Sequence, residues 1–483
     1  MSVGAQDGYL TVFAALILTV MLSLCLTLIE GARQNGIRME TEIIMDVGLD
    51  SVLAEYHREL LAQYNMFWID TSYGTANPSP QAAGRRLFHY LERNCIQDES
   101  FMGDFWYRDF LGMTVSSAQI TGVSAAPDNG GKVFRRRAVE AVRDDIGLTW
   151  LETVMEWLGT VEGYELDSRD IEHEKKSVDE NIKEYDGMEK QVSETEWVTV
   201  TVENPTQPLE EQRSSGILNL VLEQPEEVSR TGVDLTGLLT YRKAQGNINA
   251  GNWQQALQEE SFADRLLFEE YVLRYSGHYG EVKEMGLLNY QTEYVIAGKS
   301  NDTDNLKSVV YRLSALREAA NAVYLWGDET KCAQAQAAAA AAAAAMMVPE
   351  ITPLLKASIL LGWAYAESLY DIKVLLSGGR VPLLKNADNW HYDISCVFQG
   401  IEEEETEGGG SGLDYSDYLR ILLTMTDLEI QTSRFMDIVE MDIRQTPGNS
   451  KFRMDGCVDR VEADVLINST YGYSFQITRQ KGY

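Results

Sequence analysis

With 483 residues, the chain is longer than a single hydrophobic core usually supports, so two or three compact units are expected behind any membrane segment. Its 45% hydrophobic and 10% aromatic content is that of a globular protein and excludes wholesale disorder. Asp and Glu number 74 against 41 Lys and Arg, and the resulting formal charge of −33 repels phosphate backbones, which argues against nucleic acid as a partner.

The first element is the most distinctive. After a short tail of residues 1–8, Tyr9 to Ile29 contains no charged residue. As a helix it would reach about 32 Å, enough to cross a hydrocarbon core of about 30 Å. A cleaved signal would open on basic residues and close on small ones, whereas Met1 to Asp7 has no Lys or Arg and the exit reads Glu30-Gly31-Ala32. Residues 9–29 are therefore expected to be a retained anchor in the lipid bilayer. Arg33 and Arg38 follow the span, and taken alone they would keep that flank cytoplasmic.

Beyond the span, Ile43, Ile44, Val47, Val52, Leu53, Tyr56, Leu60 and Leu61 recur at helical spacing, so the helix should continue out of the membrane. Met66 to Ile69 reads as a buried strand or a helix end, closed by turn residues from Asp70 to Gly74. Partial alternation from Met113 to Val123 predicts strands, and Pro127-Asp128-Asn129-Gly130-Gly131 predicts a turn. From Phe134 to about Gln191 the pattern is helical. Its charged second part fits either a coiled-coil arm or a solvated helix lying on its own domain. Trp197 to Val202 alternates as a strand, and Pro205, Pro208 and Ser214-Ser215-Gly216 mark a boundary near residue 200.

From there the pattern is helix after helix. Leu306 to Tyr324 presents one apolar face with Thr303 or Asp304 as N-cap, and an alanine run from Ala337 to Ala345 should end near Met347. Leu354 to Tyr370 marks another helix, stopped at Gly378-Gly379. Glu402 to Gly412 reads as an exposed loop, and Tyr415 to Ile443 as one long helix.

Chemistry is sparse. Five histidines, His57, His89, His173, His278 and His391, lie far apart, and no HExxH, phosphate-cradling glycine loop or GxSxG elbow occurs. Cys95, Cys332, Cys396 and Cys457 are too widely spaced for a zinc pattern or a small disulfide framework, and Cys25 lies in the apolar span. Asp70-Thr71-Ser72 has the start of a metal-adhesion motif but carries Gly74 where the last hydroxyl is needed, so it reads as a strand stop. Asn301 to Asn305 lacks the EF-hand glycine and glutamate and reads as a helix cap. No catalytic residue, cofactor or metal is expected, and the chain reads as a non-enzyme.

The phrases GYLTVFAALILTVMLSLCLTLIEGAR and LAEYHRELLAQYNMFWID resemble the N-terminus of TadE/TadG-like proteins of tight-adherence (Flp-type) pilus loci, most strongly over Gly8 to Asp70. LNYQTEYVIAGKSNDTDNLKSVVYRLSALREAANAVYLW, ILLGWAYAESLYDIKVLLSGGRVPLLK and LDYSDYLRILL are similar to a clostridial-type membrane protein family associated with such loci. The resemblance implies a pilus-assembly or pseudopilin-like role at the cell membrane, with the large C-terminal body extracellular and other pilus or secretion-system membrane proteins as partners. A pilin-type cut after Gly8 would require glutamate at the fifth mature position, which is Phe13, so an uncut accessory protein is expected.

The resulting expectation is an α+β, predominantly helical chain with one N-terminal transmembrane helix and a large ectodomain. Its parts are the tail 1–8, the anchor 9–29, a membrane-proximal α+β region 30–200 with a charged helical arm, and a mainly helical domain 201–483. Ala14, Ala15, Ser23 and Thr27 are small or hydroxyl-bearing and are the candidate residues for lateral helix packing in the bilayer. The alternative function is an envelope sensor or ligand-binding module with a pocket near residues 290 to 390.

Overall fold

The computed structural model describes residues 6–95, 111–167, 169–193, 196–214, 216–242, 260–401 and 410–483. The chain opens with a helix of 48 residues, α1 (Gln6–Leu53), followed by α2 (Arg58–Tyr64), β1 (Ile69–Asp70), α3 (Pro80–Cys95) and β2 (Met113–Ala125). A turn with positive φ at Asn129, Gly130 and Gly131 opens α4 (Asp128–Val142), as the Pro-Asp-Asn-Gly-Gly signal predicts. Helices α5 (Leu148–Gly163) and α6 (Ile171–Lys183) lead to the hairpin β3 (Glu189–Ser193) and β4 (Glu196–Thr199). Then come α7 (Gln207–Ser214), α8 (Ile217–Val221), α9 (Phe262–Tyr275), α10 (Gln291–Ala297), α11 (Asp302–Gly327), α12 (Glu329–Ala345), α13 (Thr352–Leu376), α14 (Ser395–Gln399), α15 (Tyr415–Thr424) and α16 (Leu428–Arg444). The chain closes on β5 (Cys457–Ser469) and β6 (Ser474–Gly482), giving an α+β, predominantly helical protein with one long apolar N-terminal helix.

The described residues fall into two compact units. The first combines everything up to Phe134 with Thr446–Tyr483, and the second holds the residues between Arg135 and Gln445. In topology the second unit is an insertion between β2 and β5 of the first, so strands far apart in sequence complete one sheet. The composition break near residue 200 falls inside the second unit, between β4 and α7.

In the first unit β5 is the central strand. It pairs antiparallel with β2 along one edge, Met113 opposite Ser469 and Val123 opposite Val461, and with β1 and β6 along the other. Val461, Ala463, Val465 and Ile467 point to one face and are fully buried, the alternation of a half-buried strand. Ile37, Ile44, Met45, Leu49 and Val52 of α1 join Ala83, Leu87 and Leu91 of α3 in the core that covers that face. Gly48 allows the two helices to approach: a Cβ there would lie 2.8 Å from Leu91 Cδ2 and 3.1 Å from Leu87 Cδ1. Gly48→Leu is therefore expected to cost about 1–3 kcal/mol by overpacking, read as a lower urea midpoint for the full-length protein in detergent micelles.

The second unit is built around α13, buried on nearly every side from Leu355 to Leu375, with α11, α12 and α6 packed on it. The alanine helix α12 buries Ala335, Ala339 and Ala343 at four-residue spacing, and its lack of bulk allows close approach to α13. The charged stretch settles as α6, which buries Ile171, Lys175 and Ile182 against its own unit, as the reading of a solvated helix lying on its own domain has it. Two expectations need correction. The helix expected from Tyr415 to Ile443 is broken, because the Asp427 carboxylate accepts from the amides of Glu429 and Ile430 and starts α16 afresh. The N-cap of α11 is Asn301, whose side chain accepts from the Asp304 amide at 2.8 Å, so neither Thr303 nor Asp304 fills that place. The mainly helical C-terminal part ends in the hairpin β5–β6.

Candidate functional site

Two places concentrate unusual chemistry. The first is α1. Residues Tyr9 to Ile29 are exposed along their whole length, and the helix is long and apolar enough to cross a membrane. Ala15, Ser23 and Thr27 fall on a row repeated every fourth residue, Thr11-Ala15-Thr19-Ser23-Thr27-Gly31, while Ala14 lies one residue to its side. Thr19 donates to the Ala15 carbonyl at 2.7 Å and Thr27 to that of Ser23, so these hydroxyls are satisfied within the helix.

Where the apolar stretch ends, side chains from the far end of the sequence converge on it. Arg33 pairs with Glu30 at 2.8 Å, its guanidinium lies 4.0 Å from the Tyr471 ring centroid, and the Tyr473 hydroxyl donates to the Glu30 carboxylate. Further along α1, Arg479 meets Glu42 at 3.5 Å, Lys481 meets Asp50 at 2.7 Å, and the Tyr483 hydroxyl donates to the Leu53 carbonyl. The sequence reading missed this clasp, because nothing local ties Tyr471 or Tyr473 to residue 30.

The second place is a buried charge cluster in the second unit. On α11, Arg317 is fully buried and donates to Asp371 Oδ2 through Nε at 3.0 Å and Nη2 at 2.8 Å. Its Nη1 reaches the carbonyls of Pro382 and Leu383 and the Tyr418 hydroxyl at 3.0, 2.7 and 3.0 Å. On α13, Glu367 and Asp371 lie one turn apart and both pair with Lys385, Asp371 at 2.6 Å. Glu367 also accepts from the amides of His391 and Tyr392, each at 2.9 Å. Two cations and two carboxylates thus cancel in the protein interior. Burial holds the Tyr418 phenol up at about 12, so it stays neutral beside them.

Beside the cluster lies a cavity of about 260 Å³ lined by Tyr370, Arg380, Lys385, Asp388, Trp390 and His391. The His391 ring stacks on Tyr370 at 3.7 Å and forms part of that lining. Most of its lining falls in the stretch 290–390 where the ligand-binding alternative expects a pocket, and the rest, His391, Gly410 and Ser411, lies beyond it.

Several of these groups are held by their neighbours. Lys385 is tied between two carboxylates, and burial pushes the Cys396 thiol to about 12, leaving it protonated. A further buried set on α16 is held by neighbours: Asp437 accepts from the Tyr294 hydroxyl at 2.9 Å, and Asp442 from Gln291 at 2.9 Å and Lys283 at 3.1 Å. Burial raises Asp437 to about 6. Among the described residues no group of His, Cys, Asp and Glu is arranged to hold a metal ion.

The remaining sequence candidates have structural explanations. Asp70 accepts from the Ser72 amide at 2.8 Å and its hydroxyl at 2.7 Å, which closes the turn after β1. His57 caps α2 and meets Asn449 at 3.2 Å, while His89 and His173 are exposed on helices. His278 sits near Glu281 and Tyr415. Most of the acidic glycine-rich loop, residues 402–409, lies outside the described residues.

A model of DUF5702, a family of unknown function, matches residues 195–469. That span takes in the buried charge cluster and β5 and begins well after α1. No curated protein and no solved structure matches the chain. With more than half of its length matched, the chain belongs to the DUF5702 family.

Proposed function

We propose that the protein is a membrane-anchored, non-enzymatic accessory or pseudopilin-like component in assembly or surface attachment of a Tad/Flp-type pilus. In this reading the large body is extracellular, and other pilus or secretion-system membrane proteins are its partners. The observation that carries it is α1, which runs without a break from an exposed apolar stretch into the core of the first unit. A force or displacement on that helix in the bilayer would pass directly to the sheet. The likeness of Gly8 to Asp70 to TadE/TadG-like proteins supplies the pilus context.

Partner contact in the bilayer is assigned to the small-residue row. With no hydrophobic driving force between helices in lipid, association rests on close backbone approach, which such a row allows, at a right-handed crossing near −40°. Ala15→Leu with Ser23→Leu is expected to abolish cross-linking of the span to its partners while leaving the protein in the membrane fraction. Protease digestion of intact cells, combined with co-purification, tests the whole reading. A body protected from external protease, or recovery of pilus components unchanged by the double substitution, would count against it.

A second reading, an envelope sensor or ligand-binding module, is favoured by the aromatic-lined cavity beside the charge cluster. In that case His391→Ala would change ligand response without altering partner recovery.

A further inference from the structure

We propose that the tip of the β5–β6 hairpin, Thr470 to Tyr473, is seated in the phospholipid headgroup layer of the bilayer crossed by α1, as a second point of membrane contact. The inference rests on the anchor reading of α1 and adds to it an orientation for the first unit.

Three observations converge. The first is position. Ile29 is the last residue of the apolar stretch, and the very next residue, Glu30, accepts from the Tyr473 hydroxyl, while Arg33 one turn on lies against Tyr471. The tip is therefore within one helical turn of the place where α1 leaves the hydrocarbon.

The second is length. Four pairings follow in order along α1 and β6: Glu30 with Tyr473, Glu42 with Arg479, Asp50 with Lys481, and Leu53 with Tyr483. From Glu30 to Leu53 the helix advances about 35 Å. From Tyr473 to Tyr483 the strand advances about 33 Å. Helix and strand thus run side by side away from the bilayer over the same distance. With no proline before Pro78 to break α1, the hairpin tip is held at the membrane end.

The third is chemistry. The chain carries a charge of −33, yet Val465 to Thr478 contains no charged residue. The neighbouring stretch Leu111 to Ala126 is also uncharged, and its start meets the hairpin tip, where the Thr470 amide donates to the Gly112 carbonyl. Among the described residues, the end of the sheet nearest the lipid carries no carboxylate of its own that anionic headgroups would repel, and the Glu30 carboxylate beside it is paired with Arg33. Tyr471 is 42% exposed. Tyrosine, with an apolar ring and a polar tip, is the residue type enriched at membrane–water interfaces.

The test reconstitutes the full chain in phosphatidylcholine vesicles whose acyl chains are brominated near the headgroup. It compares Tyr471→Trp in the hairpin tip with Gln480→Trp near the far end of β6, against the nine native tryptophans as background. Flotation with the vesicles in high salt reports the anchor separately. The expected result is flotation of all three proteins, with the added emission of Tyr471→Trp blue-shifted and largely quenched and that of Gln480→Trp unaffected. Flotation without quenching at residue 471 would overturn this inference and leave the anchor standing. A blue shift without quenching would overturn it in favour of contact with a second copy. Equal quenching at both positions would also overturn it, because the sheet would then lie flat on the lipid. Failure to float would overturn the anchor reading and this inference together.

Discussion

Arg317→Leu is expected to lower the unfolding free energy of the second unit by about 3–5 kcal/mol, the usual cost of removing one partner from a buried ion pair. The substitution keeps apolar volume in α11 but leaves several groups without their donor. Asp371 loses two charge-assisted hydrogen bonds, and the Pro382 and Leu383 carbonyls lose the Nη1 donor that ties the loop after α13 to α11. The cluster is also left with one cation, Lys385, facing two carboxylates at full burial. Arg317→Lys retains the charge but not the planar fork that serves Asp371, two carbonyls and Tyr418 together, so an intermediate loss is expected. Urea unfolding of the full-length protein in detergent micelles, followed through the buried Trp363, reads the effect. A midpoint within error of wild type would show that the cluster adds nothing to stability. Combining Arg317→Leu with Asp371→Leu should cost less than the sum of the single changes, since each removes the charge that the other strands.

Much of the helical architecture was legible because its signals are local. The uncharged run to Ile29, the apolar faces of α11 and α13 and the alanine run of α12 each specify their element within a few turns. The sheet was not legible in the same way. β5 finds its partner β2 across an inserted unit, and no window-based pattern links Val123 to Val461. The alternation Val461, Ala463, Val465, Ile467 was nevertheless present in the sequence as a strand signal and was passed over after a long series of helices. The charge cluster was hidden by composition. In a chain with 74 acidic residues, a carboxylate carries no information until its surroundings are weighed. Glu367 and Asp371 stand one turn apart in the mostly apolar segment Ile359 to Leu376, whose one other charged residue is Lys373, and that contrast marks them as buried. Tyr471 and Tyr473 carried no such mark, since their meaning depends on a helix more than four hundred residues away.

Glu318→Gln is expected to stabilise the protein at alkaline pH and to leave it unchanged at acid pH. Glu318 is 2% exposed, and its Oε1 has no hydrogen-bonding partner among the described residues. Burial raises its pKa from 4.5 to about 7, against the opposing pull of Arg213, whose guanidinium is 3.7 Å away, and of Lys175. A carboxyl whose folded pKa is raised takes up its proton more readily in the native state. Its contribution is fully present below pH 4.5 and is lost as pH rises through about 7. Integrated over that window, the loss is on the order of 3 kcal/mol. Glutamine occupies the same space and is neutral throughout, so it removes this slope. The surrounding groups limit the gain. Arg213 gives up an ion pair, although it keeps its contact with the Tyr365 ring at 4.3 Å, and Lys175 remains paired with Asp179 at 3.6 Å and with Glu210. Asp437, raised to about 6, contributes a slope of the same sign to both proteins and cancels in their difference. Thermal unfolding at pH 4 and pH 8 measures that difference. A gain of equal size at both values would show that Glu318 acts through packing and not through its proton.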